Sequence, residues 1–211
     1  MKTDTLIEML ARGAGPVPRA LAARRLSPAA IGGLLASAAV AIAWFGSIPA
    51  QMYATAVPWT KMGYAGALAL AAGWLTACLS RPAAPSVQPR RITTLVVLAM
   101  AVIGGASLTL TPASARWEAL LGHSWSTCPW SVLALSLPAL AASLWAVRGL
   151  APTRPRAAGF AAGLLAGSVG AFGYSLSCPE ASPAFVAVWY TLGIVLTAAL
   201  GAALGPRVLR W

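Results

Sequence analysis

The residues best suited to chemistry in this sequence are two cysteines that are each followed by a proline. Cys128 lies in the segment HSWSTCPW, and Cys178 lies in the segment YSLSCPE. Two neighbouring thiols can form a disulfide, and two thiolates can bind a transition-metal ion. His123 and Glu180 are close to them in sequence and are candidate further ligands. These segments could form a thiol site if the fold brings them together.

Little else in the sequence could support catalysis. The Walker loop, the dinucleotide fingerprint, HExxH and GxSxG are all absent. The chain has four acidic residues and one histidine, and we expect the third cysteine, Cys78, to be a small apolar residue. We therefore predict a protein that is not an enzyme and requires no cofactor. A transition-metal ion at the cysteine pair is the one candidate ligand.

Composition decides which kind of fold must position these residues. Of the 211 residues, 59% are hydrophobic and 9% are charged, whereas a globular protein has roughly a quarter charged residues. A soluble fold could not cover so much apolar surface, and a disordered chain would be more polar. The composition predicts an integral membrane protein that is embedded in a lipid bilayer.

Six apolar stretches are long enough to cross a bilayer as helices. They lack the alternation of polar and apolar residues that barrel strands would show. We predict an all-α membrane protein with a six-helix bundle over residues 28–205, an N-terminal segment 1–27 and a C-terminal tail 206–211. The six predicted spans are about 28–45, 59–79, 92–111, 130–147, 157–177 and 183–204.

The basic residues predict the orientation of this bundle. The net charge is +11, and six spans leave only Lys61 and Arg116 on one side of the membrane. The positive-inside rule then puts both termini in the cytoplasm, so the charge sets topology and does not predict direct binding of nucleic acid. We expect Lys61, near the outer end of span two, to reach the membrane surface. The basic residues on the other side are Lys2, Arg12, Arg19, Arg24, Arg25, Arg81, Arg90, Arg91, Arg148, Arg154, Arg156, Arg207 and Arg210.

The same topology predicts that the two proline-flanked cysteines meet. Cys128 comes just before span four and Cys178 comes just after span five, so both lie at the outer surface. Spans four and five are antiparallel neighbours with a short connection, which brings these ends together. The oxidising side of the membrane allows a permanent disulfide or a reversible redox or metal-sensing pair, and unpaired thiols are a third alternative.

Span five contains glycines at the spacing used for close helix packing. Gly159, Gly163, Gly167 and Gly170 follow one another at intervals of four, four and three residues. Such small-residue faces let two helices approach closely. We expect this face to pack inside the bundle, with homodimerisation as the alternative.

The N-terminal segment contains a short amphipathic pattern. Thr3 and Asp4 can begin a helix, and a Gly-rich stretch from residue 13 can end it. A helix this short is marginal alone in water, so a partner's groove or the membrane surface could stabilise it, and a loose tail is the alternative. Its apolar stripe consists of Leu6, Ile7, Met9 and Leu10.

Several stretches together resemble the NrsF-type membrane anti-sigma factors of bacteria. The matching stretches are MKTDTLIEMLA, GPVPR, CPWSVLALSLPAL, LWAVRGLAPTRPRAAG, GLLAGSVGAFGYSLSCPE, FVAVWYTLGI and LGPRVLRW. The resemblance implies six spans and an N-terminal segment that binds an extracytoplasmic-function sigma factor of the SigF type. It also implies two outer-face cysteines that respond to metal or oxidative stress, which correspond to Cys128 and Cys178. The family often has a histidine just before the second cysteine, where this chain has Ser177.

The resemblance and the residues together predict a membrane anti-sigma factor in the bacterial inner membrane. Metal or oxidative stress would act on Cys128 and Cys178 and release the sigma factor. The alternatives are a small membrane transporter, a thiol-linked redox membrane protein and a structural assembly factor. The residues expected to bind the sigma factor are Asp4, Leu6, Ile7, Met9 and Leu10.

Overall fold

The computed structural model describes residues 3–13, 21–81, 84–150 and 152–210. Within these ranges, the side chains of residues 6, 10, 11 and 13 are not described, so the packing of Leu6 and Leu10 lies outside the described structure. The described chain folds into helices, turns and short connections and contains no strand. The all-α prediction is confirmed.

The described chain contains eight α-helices and two short 3-10 helices, and six of the α-helices are long and apolar enough to cross a membrane. Helix α8 contains a single π-helical turn at Val186–Tyr190. The prediction of six such helices is confirmed. The α-helices are α1 Thr3–Gly13, α2 Leu21–Phe45, α3 Ala56–Leu79, α4 Val87–Leu110, α5 Arg116–Leu121, α6 Cys128–Arg148, α7 Pro155–Ser175 and α8 Pro183–Val208.

Several helices extend beyond the apolar stretches that predicted them. Helix α2 begins at Leu21, inside the segment 1–27 that we expected to precede the bundle, and α8 continues to Val208. The added turns contain arginines, whose long side chains can reach water while the backbone stays helical. Hydropathy therefore finds the apolar centre of each helix and misses the polar turns at its ends.

The bundle has two chemically different ends. The cysteine end is formed by residues 46–55, 111–127 and 176–182, which connect helices there. The arginine end is the opposite one and includes the start of α2 and the connections at residues 80–86 and 149–154. Arg24, Arg90, Arg148 and Arg156 all lie at or near the arginine end. Which end faces the cytoplasm stays a prediction.

Helix α7 is the centre of the bundle. Its most apolar 18-residue window is 83% buried, whereas the corresponding window of α4 is 11% buried. Helix α7 packs against α2, α3, α6 and α8, and its most extensive contact is with α8. Helix α4 therefore lies at the periphery, where most of its surface is available to lipid.

Glycines allow the backbones of α7 and α8 to approach each other directly. A Cβ atom at Gly159 would overlap the carbonyl oxygen of Gly201, and one at Gly201 would overlap the carbonyl oxygen of Gly159. A Cβ at Gly163 would lie 2.5 Å from the Thr197 carbonyl oxygen, which is far too close. The glycine face of α7 is thus used inside the bundle, as expected. Homodimerisation stays a prediction.

A Gly163→Ala substitution should destabilise the protein by about 1–3 kcal/mol, because its Cβ would push the α8 backbone away. The free energy of unfolding can be measured by titrating the purified protein from mild detergent into SDS. The matched control is Gly105→Ala on α4, where a Cβ meets nothing within 4 Å. The control should be neutral or stabilising by up to about 1 kcal/mol. Equal stability of the two variants would contradict the packing of α7 against α8.

Candidate functional site

Cys128 is the first residue of α6, at the cysteine end. Its backbone N–H donates a hydrogen bond to the Ser124 carbonyl oxygen at 2.8 Å. Pro129 follows in the first turn of the helix, where the missing N–H of proline costs nothing. The Cys128 side chain is fully buried, so the start of α6 fixes this thiol inside the bundle.

Cys178 lies just beyond the end of α7. Its backbone N–H donates to the Tyr174 carbonyl oxygen at 3.0 Å, which continues the helical hydrogen bonding past the C-cap. Cys178 is also fully buried and belongs to the same hydrophobic core as Cys128. The two residues are near enough to interact electrostatically, and both are free thiols in this structure. The structure therefore brings the two cysteines together without a disulfide.

Lys61 is the residue whose position differs most from expectation. The sequence predicted that its ammonium group would reach the membrane surface, and this prediction is wrong because Lys61 is only 1% exposed. Its Nζ atom donates a hydrogen bond to the carbonyl oxygen of Cys178 at 2.8 Å. The ammonium group also lies within electrostatic range of both thiols and of the Glu180 carboxylate. Helix α3 therefore contributes a buried positive charge beside the cysteine pair.

Glu180 connects the loop after α7 to the loop before α6. Its Oε1 atom accepts hydrogen bonds from the backbone N–H of His123 at 2.8 Å and from the backbone N–H of Ser124 at 3.0 Å. The Ser124 hydroxyl donates to the same oxygen at 3.0 Å. Gly122, at φ +58°, leaves no room for a Cβ beside the Glu180 carboxylate. We call Lys61, Cys128, Cys178 and Glu180 the cysteine node.

A second contact holds this loop in place. The indole N–H of Trp189, on α8, donates to the carbonyl oxygen of Leu120 at 2.9 Å. The Trp189 ring also packs against Trp125, with 5.5 Å between the ring centroids. The segment from α5 to α6 is thereby held beside the cysteine node by contacts from both α8 and Glu180.

Two tyrosines complete the surroundings of the thiols. The rings of Tyr174 and Tyr190 have their centroids 5.8 Å apart, and both side chains lie within electrostatic range of Cys128 and Cys178. Tyr190 ends the π-helical turn of α8 and is fully buried. The Ser177 hydroxyl has no hydrogen-bond partner among the described residues, and the Tyr190 hydroxyl interacts with the Cys178 side chain. Buried polar groups without partners are uncommon in stable folds and often occur at functional sites.

The four predicted metal ligands, Cys128, Cys178, His123 and Glu180, do not all point to one position. The side chain of His123 is exposed, and only its backbone N–H contacts the Glu180 carboxylate. Glu180 is close to the thiols, but its Oε1 atom already accepts three hydrogen bonds. Among the described residues, no three of the His, Cys, Asp and Glu side chains form a group that could hold a metal ion. A metal ion bound by Cys128 and Cys178 stays a prediction.

Two opposing effects act on the thiols of the node. The thiolate is the nucleophilic and metal-binding form of cysteine, and nearby positive charge favours it. Lys61 provides that charge, whereas the burial of both thiols disfavours the charged thiolate and also limits access to small reagents. A disulfide or a metal ion between Cys128 and Cys178 stays a prediction.

Sequence reasoning missed three parts of this site. Lys61 is the only charged residue inside a predicted span, which was a signal, although its burial could not be deduced from hydropathy. Gly122 was a weaker signal, because a glycine in a loop has many uses. No signal indicated that Tyr190 would face the thiols, since aromatic residues occur throughout the spans.

The N-terminal residues that we expected to bind a sigma factor lie on a helix. Helix α1 covers Thr3–Gly13, which confirms the predicted short helix. At 100° per residue, Asp4, Glu8 and Arg12 align on one face, where the carboxylate of Glu8 pairs with the guanidinium of Arg12 at 2.7 Å. Ile7 and Met9 lie away from that face and are 60% and 55% exposed. Asp4 is therefore on the charged side of an amphipathic helix.

A Glu180→Ala substitution should make Cys128 accessible. Removal of the carboxylate leaves three donors of the loop before α6 without their acceptor, and hydrogen bonds to a charged group contribute about 1.5–3 kcal/mol each. We expect the rate of maleimide labelling at Cys128 to rise by about tenfold or more, because opening of the loop becomes more frequent. Labelling of the full-length protein in detergent can be followed by mass spectrometry.

The matched control is Glu118→Ala, which removes an exposed carboxylate at the same end of the bundle. It should leave the labelling rate within about twofold of the unchanged protein. A labelling rate that is the same in both variants would contradict the role of Glu180 in closing the node.

Comparison with known proteins supports one family for this chain. Residues 10–211 match the family model described as NrsF, negative regulator of sigma F. The chain is 39% identical to the probable anti-sigma-F factor NrsF of Azospira oryzae over 213 aligned positions, and 39% identical to the anti-sigma-F factor NrsF of Caulobacter vibrioides over 214. Both alignments cover all of each chain.

No solved structure matches the chain. The family model covers nearly the whole sequence, including every residue of the cysteine node, and both relatives align from end to end. The chain therefore belongs to the NrsF family, the negative regulators of sigma F.

Proposed function

We propose that this protein is a membrane anti-sigma factor that binds an extracytoplasmic-function sigma factor and releases it when a metal or an oxidant reacts with Cys128 and Cys178. The observation that carries the proposal is the buried pair of free thiols beside Lys61. It occurs in a chain that aligns along its full length with two anti-sigma-F factors.

The distribution of charge supports an orientation in the bacterial inner membrane. The arginine end contains most of the basic residues of the bundle, whereas the cysteine end contains Lys61 and Arg116. The positive-inside rule assigns the arginine end, and both termini with it, to the cytoplasm. The cysteine end then faces the oxidising periplasm, where its thiols can meet metals and oxidants.

Helix α1 is the proposed contact for the sigma factor. More than half of the surface of the Ile7 and Met9 side chains is exposed, and α1 has only 11 residues. An isolated helix of that length is marginal in water. Docking of its apolar side into a groove of the sigma factor would bury these side chains and stabilise the helix.

The proposed sensing reaction needs only the two thiols and an external reagent. An oxidant accepts two electrons while the two Sγ atoms form a bond and two protons leave. A metal ion would instead displace the two protons and bind both thiolates. In either case the sulfur atoms are drawn together, and the start of α6 moves relative to the end of α7.

Helix α6 connects the thiols to the arginine end, so a movement at one end could displace the other. It begins at Cys128 and ends at Arg148, a length of about 30 Å for 21 residues. At its far end, Gly149 lies against the guanidinium of Arg25, on α2, so closely that a Cβ would overlap it. Helix α2 follows the N-terminal segment that contains α1. A shift of α6 would therefore reach the base of the proposed sigma-binding segment.

Replacement of Ile7 and Met9 by alanine should weaken sigma binding by about tenfold or more, because burial of each such side chain contributes roughly 1.5–3 kcal/mol. The test is co-purification of the sigma factor with the full-length membrane protein, followed by a binding titration in detergent. Deletion of residues 3–13 should abolish co-purification.

The matched control replaces Glu8 and Arg12 by glutamine, which removes the ion pair and keeps the apolar side chains. An exposed ion pair contributes at most about 1 kcal/mol, so this variant should bind within about fivefold of the unchanged protein. Intact binding after deletion of residues 3–13 would rule out α1 as the contact.

Replacement of both Cys128 and Cys178 by serine should abolish the release of the sigma factor by an oxidant or a thiol-binding metal. Serine lacks the redox and metal chemistry of the thiolate. Output from a sigma-dependent promoter can be compared with and without a thiol oxidant, and separately with and without Zn²⁺ or Cd²⁺. Intact mass of the purified protein would show whether two hydrogen atoms are lost or a metal is gained.

Cys78→Ser is the matched control, because Cys78 lies near the opposite end of α3. It should keep the full response to both kinds of reagent. A double variant at Cys128 and Cys178 that still folds, binds sigma and responds normally would refute sensing by the node. Constitutive output without sigma binding would instead indicate that the variant has lost its fold.

A further inference from the structure

Helices α2 and α6 cross and leave a cleft at the arginine end. They touch near their centres, where a Cβ atom at Gly33 would lie 2.5 Å from the Cβ of Ala139. Towards the arginine end they enclose a cavity of about 640 Å³. By volume it could hold about twenty water molecules, which is enough for a phosphate group and its glycerol. Its lining includes Arg24, Arg25, Pro28, Trp145 and Arg148.

The three arginines of this cleft lack compensating negative charge in the described structure. Among the described residues, none of their guanidinium groups donates a hydrogen bond or forms an ion pair. Glu118 and Glu180 belong to the cysteine end, and Glu8, on α1, is paired with Arg12. The remaining carboxylate, Asp4, is also on α1. Three neighbouring cations without an anion repel one another, and a bound anion would remove that repulsion.

Trp145 indicates the depth of the cleft. It is 78% exposed and lies one helical turn before Arg148 on α6. Tryptophan side chains favour the level of the lipid headgroups, where the indole is apolar on its faces and polar at its N–H. The cleft therefore lies at the depth at which phosphate groups of the bilayer are found.

We propose that this cleft binds the phosphate group of an anionic phospholipid. Guanidinium groups donate paired hydrogen bonds to phosphate oxygens, and Trp145 lies where it can cover the glycerol and the start of the acyl chains. Basic pockets between membrane helices are suited to such headgroups. A lipid is favoured over an acidic protein surface because the cleft is concave, lies between two spanning helices and is lined in part by Pro28 and Ala146.

This inference is independent of the proposed sigma and thiol functions. It depends only on the residues of the cleft and on a bilayer that surrounds the bundle. A lipid bound there would bridge α2 and α6, and thus stabilise their contact near Arg25 and Gly149.

The test uses the full-length protein in detergent micelles and native mass spectrometry with added phosphatidylglycerol. The cleft variant replaces Arg24 and Arg148 by glutamine. The control variant replaces Arg207 and Arg210 by glutamine; these residues contribute equal charge at the same end, in the last turn of α8 and just after it. Phosphatidylcholine and inorganic phosphate serve as a zwitterionic lipid and a soluble phosphate.

We expect phosphatidylglycerol to bind the unchanged protein and the control variant with affinities within about twofold of each other. The cleft variant should bind about 25-fold more weakly, at about fivefold for each arginine removed. A charge-preserving variant, with lysine at both positions, should bind phosphatidylglycerol more tightly than the glutamine variant and more weakly than the unchanged protein, because it keeps the charge and loses the paired guanidinium hydrogen bonds. Phosphatidylcholine and inorganic phosphate should bind at least tenfold more weakly.

Equal loss of lipid in the cleft and control variants would overturn the proposal, because net charge alone would then explain binding. Unchanged lipid binding in the cleft variant would overturn it as well. Inorganic phosphate that binds as tightly as phosphatidylglycerol would assign the cleft to a soluble anion. Loss of sigma co-purification with intact lipid binding would identify the cleft as a protein-binding surface instead.

Discussion

A lysine ammonium buried in an apolar helical bundle must obtain from the protein the solvation that it loses from water. Lys61 obtains it from the Cys178 carbonyl oxygen, and the Glu180 carboxylate adds opposite charge nearby. Glu180 in turn needs donors, which the loop at His123 and Ser124 provides. These hydrogen bonds link α3 to the loop after α7, and that loop to the loop before α6.

The thiols depend on this arrangement for their position and for their environment. Cys178 offers the carbonyl that Lys61 contacts, and Cys128 is tied through its N–H to Ser124, the residue that Glu180 also holds. A bond or a metal ion between the sulfur atoms would thus act on the same loops that solvate Lys61 and Glu180. A movement of the sulfur atoms would therefore also strain or displace the hydrogen bonds of these loops.

The sequence predicts the helices well because membrane spans follow from local composition. It also predicts that Cys128 and Cys178 lie near each other, because the short connection between α6 and α7 brings their far ends together. The burial of Lys61 could not be predicted in this way. Hydropathy reports how many charged residues a span contains, but it does not report which neighbour a side chain faces. The loop at Gly122 was missed for a related reason, since Gly122 packs against the Glu180 carboxylate, which is 58 residues away in sequence.

Several other buried hydroxyls are satisfied within their own helix. The hydroxyls of Thr76, Ser168 and Thr197 each donate to the carbonyl of the residue four positions earlier in the same helix. Such hydroxyls are satisfied locally, whereas the Ser37 hydroxyl on α2 donates to the carbonyl oxygen of Gly170 on α7 at 3.3 Å. Among the described residues, the buried charged groups are Lys61 and Glu180, and both lie at the cysteine end. Proton and ion pathways need ionisable groups at successive depths, whereas polar chemistry at one end, joined to the other by rigid helices, is better suited to carrying a signal.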